Sequence, residues 1–435
     1  MTTVLAQDTD TVAEIAPVTF AQRSLIAPQS SINVPSVVVL PEPVELRRVR
    51  QVLAEVTARH GALRTVVTSG PDGGRQTVRS AGELRLDRFH HDGRAAAGLA
   101  GVLRDGSQRP FAVDGGRLAQ ADLHIWSDRQ VLVVWLHHAI SDLVTSQVLG
   151  AEIARLWRGE SLPPPAGQMA DYARYEHEIQ PSAPDWEYWT RTLADVDDGL
   201  GVGYPTEPGH LMLRPALPRL DPDVVDSLQR LAASARTTFT AVLAAATIAN
   251  HAPAAQRDKA LIGLTISNRD HPQWRSTVGC LADQLPLVVD LSGSPTFRAL
   301  VGRVRESLLD AYDHRLPLGL LRPLLPRSEA PVFAVNLNFL PPPVRRPQEP
   351  PSEQPIPLPY GIAKSRIDPW WLGDASLAYR PRIDDGELAG EIEGDARLHD
   401  AATVAGFGEQ FCAVLTLAAR YPDRPIQTLA REASR

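Results

Sequence analysis

Residues 130–143 read QVLVVWLHHAISDL, and the architecture follows from how this stretch must sit. From Val131 to Leu136 the run is apolar at every position. A strand with one solvated face alternates, whereas one apolar throughout is covered on both faces. The run ends on His137 and His138 and passes through Ala139-Ile140-Ser141-Asp142. The following segment, 143–158, has apolar residues at helical spacing, with Gly159 as its stop. Strand, polar turn and helix is therefore the expected setting of the histidines. Upstream, 121–126 is a second strand-like run, joined to the first by Ser127-Asp128-Arg129-Gln130, which predicts a hairpin.

Further out, 32–40 reads as a strand. Val44, Leu46, Val49, Val52, Leu53 and Val56 then predict an amphipathic helix ending near His60-Gly61. Pro163-Pro164-Pro165 marks a break, and 160–184 is the expected crossover between two halves. The second half is expected to hold helices at 185–193, 221–233, 240–250, 296–314 and 402–420. Strands are expected at 261–266, 331–340, 375–379 and 387–393. Residues 1–15 read as frayed, and the proline-rich 341–358 as an extended loop. Helices and strands thus mix in both halves (an α/β, or mixed α+β, chain). Its expected domains are 16–175, carrying the histidines, and 176–435.

A chain of 435 residues exceeds one small core. A formal charge of −7 gives no basic footprint for nucleic acid and disfavours an anionic membrane surface. The N-terminal residues have neither the positive region nor the apolar run of a signal peptide, and no stretch reads as a bilayer span. Cys280 and Cys412 lie far apart in apolar surroundings, so they are expected to be buried thiols in a reducing, cytoplasmic setting.

The chemistry centres on His137-His138-Ala139-Ile140-Ser141-Asp142. A neutral imidazole at the end of a rigid buried strand can accept a proton from an amine or hydroxyl. Adjacent strand residues point to opposite faces, so one histidine is expected to serve a site and the other to be a hydrogen-bonded core residue. Two neighbouring histidines chelate a metal poorly, and no nearby His, Cys or Glu completes a set. Asp142 is too close in sequence to be assumed a triad orienter. A buried carboxylate there calls for an arginine.

The hexad is similar to the HHxxxDG signature of the condensation domains of nonribosomal peptide synthesis. Other segments resemble that family in the same order. They are Arg59-His60-Gly61-Ala62-Leu63-Arg64-Thr65; Asp171-Tyr172-Ala173 with Tyr188-Trp189; Gly263 to Ser267-Asn268-Arg269; and Val278 to Leu287. The resemblance spans 18 to 430 and implies two chloramphenicol-acetyltransferase-like lobes in a V-shaped pseudo-dimer with a central tunnel. It implies His138 as the catalytic histidine, as general base or as positioning group, with His137 as structural partner. Asp142 is implied to pair with Arg269 or, as the second candidate, Arg64. Ser141, Leu143, Asn268 and Asp283 become candidate channel residues. The sequence departs from the family at Leu143, where a glycine is usual, and at Asp283, where an asparagine is usual. Those departures put the standard acceptor in doubt.

The expected activity is that of a stand-alone acyltransferase without a bound cofactor. An acyl or peptidyl carrier protein, met in trans, would present the acyl thioester on 4'-phosphopantetheine. The acceptor would be an amine or alcohol, free or carrier-bound, and the expected state is monomeric, with no nucleic acid or membrane partner. Two alternatives stay open: a non-catalytic module that recruits a tailoring enzyme to a carrier-bound peptide, and an acyltransferase using coenzyme A or a polyketide carrier.

Overall fold

The computed structural model describes residues 11–26, 33–40, 45–70, 73–107, 109–196, 198–205, 212–254, 258–327, 331–339 and 375–435. The proline-rich segment 341–358 lies outside them. The described chain is a mixed α/β fold in two compact units. One takes the described residues up to Ile179 together with Ser267–Ala282; the rest form the other.

The first unit opens with β1 (Val12–Pro17), α1 (Phe20–Leu25), β2 (Asn33–Leu40) and α2 (Leu46–Arg59). Then come β3 (Thr65–Thr68), β4 (Arg75–Arg79), β5 (Leu86–His90) and α3 (Ala95–Ser107). The hairpin β6 (Ala119–Ile125) and β7 (Gln130–His137) leads to α4 (Leu143–Trp157) and α5 (Met169–Glu178). Four strands form one sheet in the order β2-β7-β6-β5, and three form another in the order β1-β4-β3.

Two residue sets explain why β7 is apolar throughout. Leu132, Val134 and Leu136 join a core with Val49, Val52 and Val56 of α2 and Leu149 and Ile153 of α4. By alternation, Val131, Val133 and Trp135 take the other face, where Trp135 meets Gly106 of α3. Trp135 is fully buried, and its indole N–H donates to Asp122 at 2.9 Å. A Cβ at Gly106 would lie 2.0 Å from the Trp135 ring. Gly106→Ala is therefore expected to destabilise this unit by about 1–3 kcal/mol or more through overpacking. Urea denaturation followed by tryptophan fluorescence measures it.

One expectation here needs correction. Val12 to Ile15 are not frayed but form most of β1, paired antiparallel with β4. This is an edge strand with exposed Val12 and Ile15, so it carries little of the burial pattern that marks a strand. The expected crossover 160–184 does contain the passage between the units, after Ile179, and it also holds α5, a ten-residue helix packed on β1.

The second unit begins with α6 (Ala183–Thr192), β8 (Met212–Leu213), α7 (Pro222–Ser234) and α8 (Phe239–His251). It continues through β9 (Lys259–Ile266), β10 (Asp283–Asp290), α9 (Phe297–Asp313), α10 (Leu318–Leu321) and β11 (Phe333–Leu337). It ends with β12 (Ala375–Asp384), β13 (Glu387–Asp395), α11 (Ala401–Arg420) and α12 (Ile426–Ala433). The sheet order is β10-β9-β11-β12-β13-β8. α8 is buried at every position from Ala241 to His251, the pattern of a central helix. α11 is long and apolar enough to span a bilayer, which the sequence reading did not register. It packs against α7, α8, α12 and β13, with Val404, Phe411, Val414 and Leu415 buried, as a core helix does.

Each unit buries one histidine that resists charging. Burial lowers His124 to about 4, opposed by the Asp122 charge and assisted by His91 and Arg109. Burial likewise lowers His251, beside Tyr379, to about 4, opposed by a hydrogen bond with the Leu200 backbone. Between pH 4 and the ordinary 6.5 the unfolded chain therefore binds more protons than the folded one. Stability is expected to be full above 6.5 and to fall, by a few kcal/mol, as the pH drops through that window. Denaturation midpoints against pH check this, and His124→Phe and His251→Phe should each flatten the slope.

Candidate functional site: the histidine turn

β7 delivers His137 as its last residue, and a single 3-10 turn, His138–Ile140, reverses the chain before α4 begins. The two rings lie in different environments. His137 is fully buried, with Phe111 edge-on at 6.2 Å between centroids, whereas His138 is half-buried. The Ala139 N–H donates to His137 Nδ1 at 3.1 Å, so that nitrogen carries a lone pair. His138 Nδ1 lies 2.6 Å from the Ser141 carbonyl oxygen, which can only accept, so that nitrogen carries the proton. In their neutral forms the adjacent histidines thus hold opposite tautomers, with the His138 lone pair on Nε2. Ser141 is itself fixed, its hydroxyl donating to His137 O at 3.0 Å and its N–H to His138 O at 3.1 Å.

Asp142 caps α4, accepting from Thr145 N–H at 2.9 Å. Its two oxygens also take the Arg269 guanidinium at 2.6 and 3.0 Å. The N–H groups of Leu281 and Ala282 add bonds at 3.1 and 3.2 Å. Five donors thus surround a carboxylate whose side chain is 4% exposed. Arg269 Nη1 also donates to Ser267 O, and Nη2 to the carbonyls of Thr277 and Gly279. Asp142 orients the segment around the turn; the ring of His138 is oriented by Ser141.

Asn268 is near by, in left-handed backbone at φ 53°, and its amide donates to Leu281 O at 3.0 Å. Leu143 is the first residue of α4, half-buried, with no left-handed backbone, so a side chain fits where the family usually has glycine. Arg64, the second candidate partner of Asp142, instead donates to the carbonyls of Thr57, Arg79 and Ala58. It braces the end of α2 against β4. Asp283 starts β10 in the second unit and accepts from Leu318 N–H at 2.9 Å, at the head of α10.

Two contributors escaped the sequence reading. Thr145 Oγ1 both donates to Gly279 O and accepts from Gly279 N–H, at 2.8 and 2.9 Å. No local pattern marks such a long-range pair. Gln22, fully buried on α1, donates from Nε2 to Ala139 O at 2.6 Å. Here a signal existed: Thr19-Phe20-Ala21-Gln22 has capping-box spacing, which would have placed Gln22 at a helix start.

The chain is thus a two-unit α/β fold with a histidine-bearing turn at the end of a buried strand. The Condensation domain family matches residues 12–433, and this chain belongs to that family. Among its relatives are tyrocidine synthase 3 of Brevibacillus parabrevis, 28% identical over 70% of this chain, and the dimodular nonribosomal peptide synthase of Bacillus subtilis, 27% identical over 96%. The chain spans 5% and 18% of those proteins. In fold it is similar to the X-domain solved in complex with OxyB from teicoplanin biosynthesis, at TM-score 0.76 and 23% identity, covering 96% of each chain. The SgcC5 protein from Streptomyces globisporus gives a TM-score of 0.75 and 22% identity, over 94% of this chain and all of that one.

Proposed function

We propose that this chain is an acyltransferase that joins an acyl group, held as a thioester on a carrier-protein pantetheine, to an amine or hydroxyl. The observation that carries this reading is the fixed tautomer of His138. Its Nδ1–H is committed to Ser141 O, so Nε2 can accept a proton, and the ring is the less buried of the two. In the proposed step the nucleophile attacks the thioester carbonyl and its proton passes to His138 Nε2. The C–N or C–O bond forms, the C–S bond breaks, and the pantetheine thiolate leaves and regains the proton. Holding both reactants in line supplies several further kcal/mol, on the order of what effective-molarity comparisons give. His137, Asp142 and Arg269 act as the scaffold of the turn, and Ser141 sets the ring.

A second reading has a specific support. The similar X-domain was solved in complex with OxyB, so a chain of this fold can dock another protein. Leu143 and Asp283, at family-variant positions, fit a docking module as well as an enzyme with an unusual acceptor. The test is product formation, read by mass spectrometry, from acyl-loaded carrier proteins and a panel of amines and alcohols. An amide or ester product supports the enzyme and identifies the bond. Absence of product from folded protein that binds the loaded carrier supports the docking module.

A further inference from the structure

We infer that Gln22, far from the hexad in sequence, is a positioning residue for His138, acting through the peptide of Ala139. The inference rests on the reading of His138 as the proton acceptor. Gln22 is fully buried, and both ends of its amide are assigned by their partners. Oε1 accepts from Thr19 N–H at 2.7 Å, a group that can only donate. Nε2 donates to Ala139 O at 2.6 Å, a group that can only accept, and faces Met169 Sδ at 3.6 Å. The helix that carries it is anchored independently. Glu176 Oε2 accepts from Phe20 N–H at 2.6 Å, and Phe20 stacks on His177 at 4.9 Å between centroids.

Ala139 follows His138 directly and is held at both polar groups. Its N–H donates to His137 Nδ1, and its carbonyl accepts from Gln22. The first bond is local and would follow the turn wherever it moved. The Gln22 bond comes from 117 residues away and ties the turn to α1 and α5. The Ala139 carbonyl lies in the Ala139–Ile140 peptide, so a tilt of that unit would reach the His138 Cα through the Ala139 Cα and the one intervening peptide. It would also lengthen the short Nδ1···Ser141 O contact that fixes the tautomer. A small rotation at Ala139 therefore both misaims Nε2 and releases the proton assignment. Misplacement on this scale is expensive in a reaction that depends on alignment.

Two substitutions and two readouts test this. Gln22→Met keeps the volume and removes the donor, and kcat is expected to fall roughly ten- to a hundredfold with KM little changed. Gln22→Glu sets a carboxylate against the Ala139 carbonyl. When protonated it can donate as the amide does; when ionised it repels. The ratio of Gln22→Glu to wild-type kcat should therefore rise as the pH falls, and taking the ratio cancels any titration common to both. A role in bulk stability alone would leave that ratio flat, and a flat ratio overturns the inference. The second readout needs no activity. Ring 15N shifts of His138, in 15N-histidine protein and assigned by loss in His138→Gln, should show a single Nδ1–H tautomer in the wild type and a mixture in Gln22→Met. Unchanged shifts in a folded variant overturn the inference. If the wild type forms no product, the reading of His138 as an acceptor fails by itself, and the 15N shifts alone decide the role of Gln22.

Discussion

Arg269→Ala is expected to destabilise the first unit by about 3–5 kcal/mol. The size follows from what the substitution strands. Asp142 would keep its three backbone donors but lose the charge that balances it, at a site 4% exposed. Three carbonyls, of Ser267, Thr277 and Gly279, would lose a donor as well. For a unit of this size the loss corresponds to a fall in Tm on the order of 10 °C, measurable by calorimetry. Arg269→Lys should recover little, because an ammonium cannot reproduce a planar fork that serves one carboxylate and three carbonyls. Pairing Arg269→Met with Asp142→Asn should cost less than the sum of the two single changes, since neither charge is then left alone. A single Arg269→Ala variant within 1 kcal/mol of the wild type, by the same order-of-magnitude reasoning, would mean that the backbone donors neutralise Asp142 unaided.

His138→Ala is expected to lower kcat/KM by about 10²–10⁴ while leaving Tm nearly unchanged. The dissociation of the two readouts comes from the environment of the ring. His138 is half-buried and, among the described residues, its side chain makes one hydrogen bond, to Ser141 O. His137→Ala should behave in the opposite sense on stability. That ring is fully buried, packs against Phe111 and accepts from Ala139 N–H, so its removal opens a cavity and strands a donor. Product assays alongside thermal melts of both variants check the pair. Equal activity in His138→Ala and the wild type would remove the imidazole from the proposed proton transfer and leave alignment as the source of rate.

The central strand was legible because its composition left one arrangement. An apolar run at Val131–Leu136 needs cover on both faces, and α2 with α4 on one side and α3 on the other supply it. α4 was legible because the 3.6 period, a stop residue and length agreed. Among the elements that escaped, β1, β3, β4 and β5 are short or exposed, whereas β10 and α3 escaped despite their length. At the site, the need of Asp142 for an arginine was physical, but choosing Arg269 over Arg64 required the resemblance. Both lie in family-like motifs, and only the fold shows Arg64 spent on carbonyls of its own neighbourhood. Thr145 could not be found from sequence, since its partner Gly279 is 134 residues away.

The placement of residues 267–282 has a consequence for how the protein is made. On the ribosome, Asp142 emerges first, and the guanidinium that neutralises it follows 127 residues later. In between come α6, α7, α8 and β9, all parts of the other unit. At ordinary rates of translation that interval lasts roughly 6–25 s. Throughout it the nascent first unit holds a carboxylate without its cation at the very turn that bears His138. Synthesis order and completion order are thus reversed: the first unit to appear cannot finish until much of the second has left the exit tunnel.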